Sequence, residues 1–340
     1  MAGIIDLILS IIFYPPIYQL VLVGLTGSLV VVIFIIWFER KATARVQRRL
    51  GPYHIAPRLA GLPQLVADLI RYAFQEVIIP RTADRELFVL APIVATVLSI
   101  LPIAVVPLTS NPAYWPIPMD YSILVALALT TVSPIFLIVA GWASNNKFSI
   151  IGGVREAFVI TAYEMIAIMS ILSASAAVLT FNLVEIVEAQ RIWYILLNPI
   201  AFLAAFLSVL MATSGFPFEI PESENEVVAG PFTEYSGLLY GLNMGAAYMK
   251  RFAFSILMVL VFLGGWSPYT PGEGILSGYL IPSLIVVAKA AILMMIFSLT
   301  RSIYGRFRLD QALEGAWRLV FPMAVLGFGL ALLEAYLGVM

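Results

Sequence analysis

Cysteine is missing altogether from the 340 residues, and histidine occurs once, as His54. The first absence excludes disulfides and any thiolate-ligated iron–sulfur cluster held by this chain. The second excludes a metal site built from several histidines. Charge is scarce as well: Asp, Glu, Lys and Arg make up 11% of the residues, against roughly 25% in a soluble domain. With 61% hydrophobic residues and a mean hydropathy of +0.99, the chain reads as an integral, multi-pass protein of the cell membrane. A net charge of −1 leaves no electrostatic footprint for nucleic acid, and no such partner is expected. The first sixteen residues hold no Lys or Arg, so the basic start of a cleavable signal peptide is not evident. No internal repeat stands out, which weakens an inverted-repeat transporter reading.

A membrane crossing needs about 20 predominantly apolar residues. Eight segments qualify, at approximately 17–38, 87–108, 122–142, 157–180, 193–213, 234–264, 278–300 and 319–339. The expected fold is all-α integral membrane: an eight-helix transmembrane bundle, 1–340 forming a single membrane domain, with a long cytoplasmic loop carrying an interfacial helix. The sixth segment is long and contains Lys250 and Arg251, so it reads as tilted or broken. Loops 39–86, 143–156, 214–233 and 301–318 share one side and hold fifteen of the nineteen Lys and Arg; the opposite loops hold only Arg191. That asymmetry places the first group in the cytoplasm.

The charge that exists is concentrated. Residues 39–86 begin ERKATARVQRRLGP and carry nine basic residues. Further on, Leu65, Leu69, Ile70, Phe74, Val77 and Ile78 recur at helical spacing, with Asp68, Arg71, Gln75 and Glu76 on the other side. This predicts a helix lying in the headgroup plane or roofing a cavity. A second segment, FPFEIPESENEVVAGPFTEYSG at Phe216 to Gly237, is acidic. Close carboxylates there raise some of one another's pKa values. Glu222 and Glu226 would share a face if it were helical, but Pro217, Pro221 and Pro231 argue for loop.

Taken together, ERKATARVQRRLGP with GLPQLVADLIRYAFQE, GWASNNKFSIIGGVREAFVITAYEM, PFEIPESENEVVAGPFTEYSG and RFRLDQALEGAWRLVFP resemble, in order, the complex I membrane protein known as NADH dehydrogenase subunit 1, or the H subunit. The resemblance covers nearly the whole chain. It implies a component that joins a hydrophilic redox arm to a membrane arm and whose loops form part of the quinone chamber. Related proteins anchor membrane-bound hydrogenases and a sulfane sulfur reductase. The implied partners are cytoplasmic iron–sulfur subunits, large catalytic-type subunits, antiporter-like membrane subunits and membrane lipid. Iron–sulfur clusters belong to those partners, and no cofactor is expected on this chain.

Departures from the family pattern carry weight. The stretch before PFE reads ATSG, so Ala212 stands where the family has Glu, and Gly215 where it has Arg. Leu239 and the Ala247–Tyr248 pair replace an Arg and a Glu–Tyr pair. Losing acids and bases together suggests altered or absent quinone and proton-entry chemistry. It favours a ferredoxin-driven complex that reduces sulfur compounds or protons, with a quinone-binding role as the alternative.

Against these stand blander readings. Glu164 lies two turns into the fourth segment, where an acid costs about 2.5–3.5 kcal/mol to insert. It is a candidate for charge relay, or a structural acid paired with a neighbour. Glu219, Glu222, Glu224 and Glu226 form either a switching loop or a solvated acidic one. Lys289 is either a relay charge or part of an inter-helix salt bridge. Arg40, Lys41, Arg45, Arg48 and Arg49 enforce topology and bind anionic headgroups, and the resemblance adds arm docking, with Glu39 and Asp68 as counter-charges. The rivals from other classes are a stand-alone ion or solute transporter and a purely structural anchor.

Overall fold

The computed structural model describes residues 19–338. Residues 17–18 of the first expected crossing, residue 339 of the last and the segment read for a signal peptide lie outside the described residues.

Among the described residues the chain is helical throughout, without a strand. Helix α1 is Ser28–Val46, entered through a π-helical turn at Leu20–Gly27. The others are α2 Pro63–Phe74, α3 Arg85–Ile100, α4 Ser122–Ala143, α5 Lys147–Val178, α6 Pro199–Ala212, α7 Gly237–Phe262, α8 Ile281–Ile303 and α9 Phe321–Leu337. Seven helical segments among the described residues are long and apolar enough to cross a membrane.

The fifth expected crossing differs. Asn198 and Pro199 break 193–213 into Tyr194–Leu197 and the 14-residue α6, which is only about 21 Å long. Asn198 satisfies the freed backbone by capping Ala201 N at 3.1 Å and donating to Gly327 O on α9 at 2.7 Å. The sixth crossing, expected to be tilted or broken, is one continuous helix.

The expected loops are shorter than the charge pattern suggests. Residues 147–156 belong to α5, started by Asn146, whose side chain accepts from Phe148 N at 2.8 Å. The Gly152–Gly153 pair suggests a loop locally, but Gly152 serves a close approach: a Cβ there would sit 2.6 Å from Pro231 Cδ. Likewise α1 runs through Glu39 to Val46, so Arg40, Lys41 and Arg45 ride its last turns.

Helix α7 is the axis of the bundle, and every residue from Met249 to Phe262 is buried. It packs on α2, α3 and α8; α5 packs on α4, α6 and α9; α8 also meets α1. The four charged loop segments converge at one end. Asp84 N donates to Ala143 O (3.0 Å), Ile78 N to Ser236 Oγ (2.9 Å) and Phe307 N to Pro217 O (3.0 Å).

The interfacial helix is present as α2, ending at Phe74, before Val77 and Ile78. Only its Leu65 is buried, whereas Leu69, Ile70 and Phe74 remain exposed. An amphipathic helix with an uncovered apolar side suits the plane of the headgroups.

Candidate functional site

At the loop-bearing end, the acidic segment folds over a cleft of about 210 Å³. Its walls come from α1 (Glu39), the 213–229 loop (Glu219, Glu222, Glu224), α7 (Tyr240, Tyr248, Arg251) and α8 (Ser298, Arg301). Glu39 and Arg301 come from the loop-side ends of α1 and α8, and Arg251 from the middle of α7.

Glu39 is 5% exposed. It forms an ion pair with Arg301 and accepts from Ser298 Oγ and Tyr248 Oη, both at 3.4 Å. The sequence puts Glu39 on the docking surface; the structure builds it into the chamber wall. Asp68 instead is the counter-charge of Arg40, at 2.9 Å. Arg45, Arg48 and Arg49 are exposed, and Lys41 donates to Leu50 O at 3.3 Å beside the Tyr53 ring. Among these residues, exposed Val46 and Leu50 interrupt the charge.

Arg251 resolves one of the sequence departures. A Cβ at Gly215 would lie 2.9 Å from its Nη2. The guanidinium of Arg251 therefore occupies the space where a side chain at 215 would begin. Its Nε donates to Thr213 Oγ1 (3.1 Å) and Nη2 to Thr213 O (3.3 Å), at the end of α6. A cation reaches this wall from α7 rather than from the loop.

The four loop acids separate. Glu219, Glu222 and Glu224 line the chamber; Glu226 turns away and pairs with Arg155. The α-helical turn in the segment, Glu224–Val227, starts after Glu222, so Glu222 and Glu226 share no helical face. Burial pushes Glu222 up to about 8, with Glu219 and Glu156 adding repulsion and Arg301 and Arg251 opposing it. Burial likewise raises Glu219, against the pull of Arg301 and Arg306. The Arg155 hydrogen bond holds Glu226 low.

Glu222 therefore carries a proton at neutral pH and loses it as pH rises through about 8. An acid raised from 4.5 to about 8 on folding binds more protons in the native state. Its contribution to stability falls as pH rises across that window, then levels off. Glu222→Gln is expected to flatten the stability profile over that window, as measured by thermal unfolding at stepped pH. An unchanged profile counts against this assignment.

A second cavity of about 40 Å³ adjoins the first, sharing Thr213, Ser214, Glu222, Phe232 and Ala247, and is lined further by Glu156, Asn243 and Lys250. Glu156 is 1% exposed and Lys250 4%. Lys250 Nζ donates to Tyr163 Oη at 3.2 Å, and both Glu156 and Glu164 lie within its electrostatic range. Glu164 is half-buried on α5, further along the bundle than Glu156. The sequence alone does not single out Glu156, which sits beside Arg155 at an expected loop edge. The usable signal is its spacing of eight from Glu164, about two helical turns.

Lys289 does not join this group through any ion pair. Its Nζ donates to the carbonyls of Leu263 (2.8 Å), Gly265 (2.8 Å) and Ser267 (2.6 Å), just beyond the far end of α7. An ammonium suits the unsatisfied carbonyls and negative dipole end of a helix. Neither a relay role nor a salt bridge is needed to explain it.

A family model described as NADH dehydrogenase matches residues 18–332. The chain is 35% identical over 295 residues to the H subunit of the NADH-quinone oxidoreductase of Geobacillus thermodenitrificans, covering 86% of each. Against its counterpart from Carboxydothermus hydrogenoformans it is 34% identical over 308 residues, covering 88% of this chain and 85% of that one. Against that of Bacillus cytotoxicus it is 36% identical over 289 residues, covering 84% of each. With nearly its whole length matched, a charged chamber between its loops and crossing helices beneath, the chain belongs to the family of the NADH-quinone oxidoreductase H subunit, a membrane component of complex I.

Proposed function

We propose that this chain forms the membrane side of a quinone chamber and couples electron transfer in an iron–sulfur arm to ion translocation in the membrane. The observation that carries the reading is that the two cavities adjoin, with Glu222 in the lining of both. They run from Glu219, Glu222 and Arg301 at the loop-bearing end to Lys250 inside the bundle, within reach of Glu164. The matched relatives are named for quinone, and the chamber offers what a quinone headgroup requires: donors on Arg251, Arg301 and Tyr248, and acids that hold protons. Reduction of a quinone consumes electrons and protons. A change in the protonation of Glu222 or Glu219 changes the field felt by Lys250 and Glu164, which is the differential stabilisation that coupling demands. The electrons come from partner subunits, since this chain has no cysteine to hold a cluster. Arg40, Lys41, Arg45, Arg48, Arg49 and Asp68 supply the docking surface for those partners. Antiporter-like subunits receive the charge at the side of the bundle.

The ferredoxin-driven, sulfur- or proton-reducing alternative rested on charge lost at Ala212, Gly215, Leu239 and Ala247. Three of these positions, Ala212, Gly215 and Ala247, line the two cavities, and Glu156, Lys250 and Arg251 put buried charge back into them, which weakens that ground for the alternative. The test is reconstitution of the intact complex into liposomes. Quinone reduction should proceed with ion pumping, and Glu164→Gln should abolish pumping while uncoupled turnover survives. Turnover with sulfur compounds or protons but not with quinone would reinstate the alternative. The chain alone should transport nothing; transport by it would favour the stand-alone transporter. Normal pumping by Glu164→Gln would favour the anchor.

A further inference from the structure

The second cavity holds two buried polar atoms that no protein group satisfies: Glu156 Oε2 and Asn243 Nδ2. Their residues are 1% and 3% exposed and line the same space. Leaving such groups unpaired costs about 1–3 kcal/mol each, and more for a charge. Three hydroxyls nearby have partners. Ser99 and Ser133 bond each other at 2.8 Å, and Thr213 Oγ1 donates to Val209 O and accepts from Arg251. A cavity accommodates a water when it exceeds about 10–15 Å³ and offers two to four polar partners. This one measures about 40 Å³ and offers a carboxylate, an amide and the Lys250 ammonium.

We propose that a water molecule is bound here between Glu156 and Asn243, and that Glu156 is the group that exchanges a proton with Glu222 through it. This rests on the coupling reading above and adds a residue outside the roles assigned from the sequence. Glu222 lines both cavities and so stands between the chamber and the water. In the step, the water accepts the carboxylic proton of Glu222 as it gives one of its own to the Glu156 carboxylate. Glu222 ends as carboxylate, Glu156 as acid, and the water is regenerated. Glu156 and Glu164 are the two acids within range of Lys250. Neutralising Glu156 leaves Glu164 as the anion facing the ammonium, so a proton moved near the chamber shifts the charge balance deeper on α5.

The test uses the assembled complex in liposomes, with ions pumped per quinone reduced as the readout. Glu156→Gln is expected to bring that ratio close to zero, because the amide carries no exchangeable carboxylic proton, while uncoupled turnover stays near wild type. Glu156→Asp should recover part of it. Asn243→Leu, which fills the cavity, should reproduce the loss with Glu156 intact. An experimental map of the wild-type complex should show solvent density between Glu156 and Asn243. A normal ratio in Glu156→Gln while Glu164→Gln fails to pump would overturn this inference and leave the coupling role standing. Normal pumping in both would remove the coupling role too. Should a variant not assemble, the wild-type map decides: a dry cavity overturns the inference.

Discussion

Replacing Lys250 with Met is expected to destabilise the complex by about 3–5 kcal/mol, the scale for removing one member of a buried ionic group. The ammonium is 4% exposed and sits over the Tyr163 and Phe254 rings, at 5.1 and 5.9 Å from their centroids. Methionine keeps most of the packing volume, so the loss isolates the charge. What remains is Glu156, nearly fully buried, and Glu164, both without their shared counter-ion. Adding Glu156→Gln to Lys250→Met should return much of the stability, because it removes the most buried orphaned charge. Thermal unfolding of the single and double variants checks this. Equal destabilisation in both would mean that packing, not charge, is what Lys250 contributes.

Gly230→Ala should have an effect of similar size by an unrelated route. Gly230 has φ +54°, and a Cβ there would come 1.9 Å from Pro221 O. The obstructing atom is backbone, so no rotamer change relieves it. Left-handed strain alone costs about 1–3 kcal/mol in a non-glycine residue, and the clash adds to it. The loop that carries Glu219 and Glu222 must then move off α5, where Pro231 rests on Gly152. The expected outcome is a complex that assembles poorly or loses quinone turnover. Assembly with normal turnover would show that the loop has an alternative seat. Cross-linking between positions 152 and 231 reports which case holds.

Much of the fold is legible because hydropathy is local. Crossing segments announce themselves in twenty residues, and the charge asymmetry groups 39–86, 143–156, 214–233 and 301–318 on one side. Boundaries are less legible where a residue answers to a distant neighbour. Gly152 reads as a loop but exists for Pro231, and the break at Asn198–Pro199 hides inside a uniformly apolar run. The chamber is legible in part: Glu219, Glu222 and Glu224 stand out by their clustering in the sequence, and in space they line it together. Position-by-position comparison misjudges its charge. Gly215 and Ala212 look like losses along the chain, whereas in space Arg251 comes from 36 positions away in sequence, and Glu156 shares the cavity that Ala212 lines. The surroundings of Lys289 are illegible for a related reason. Depth in a segment says nothing about three carbonyls at the end of another helix.

Beyond Ser255, α7 presents Ile256 to Phe262, seven apolar residues all buried. The stretch is a dry dielectric plug about 10 Å tall, closed at its far end by the Lys289 ammonium on the backbone carbonyls that follow it. On the coupling role proposed above, charge reaching Lys250 would meet an insulator ahead, and the way left open would be sideways, past α5. In electrical terms the chain would then act as a corner between the redox arm and the membrane arm.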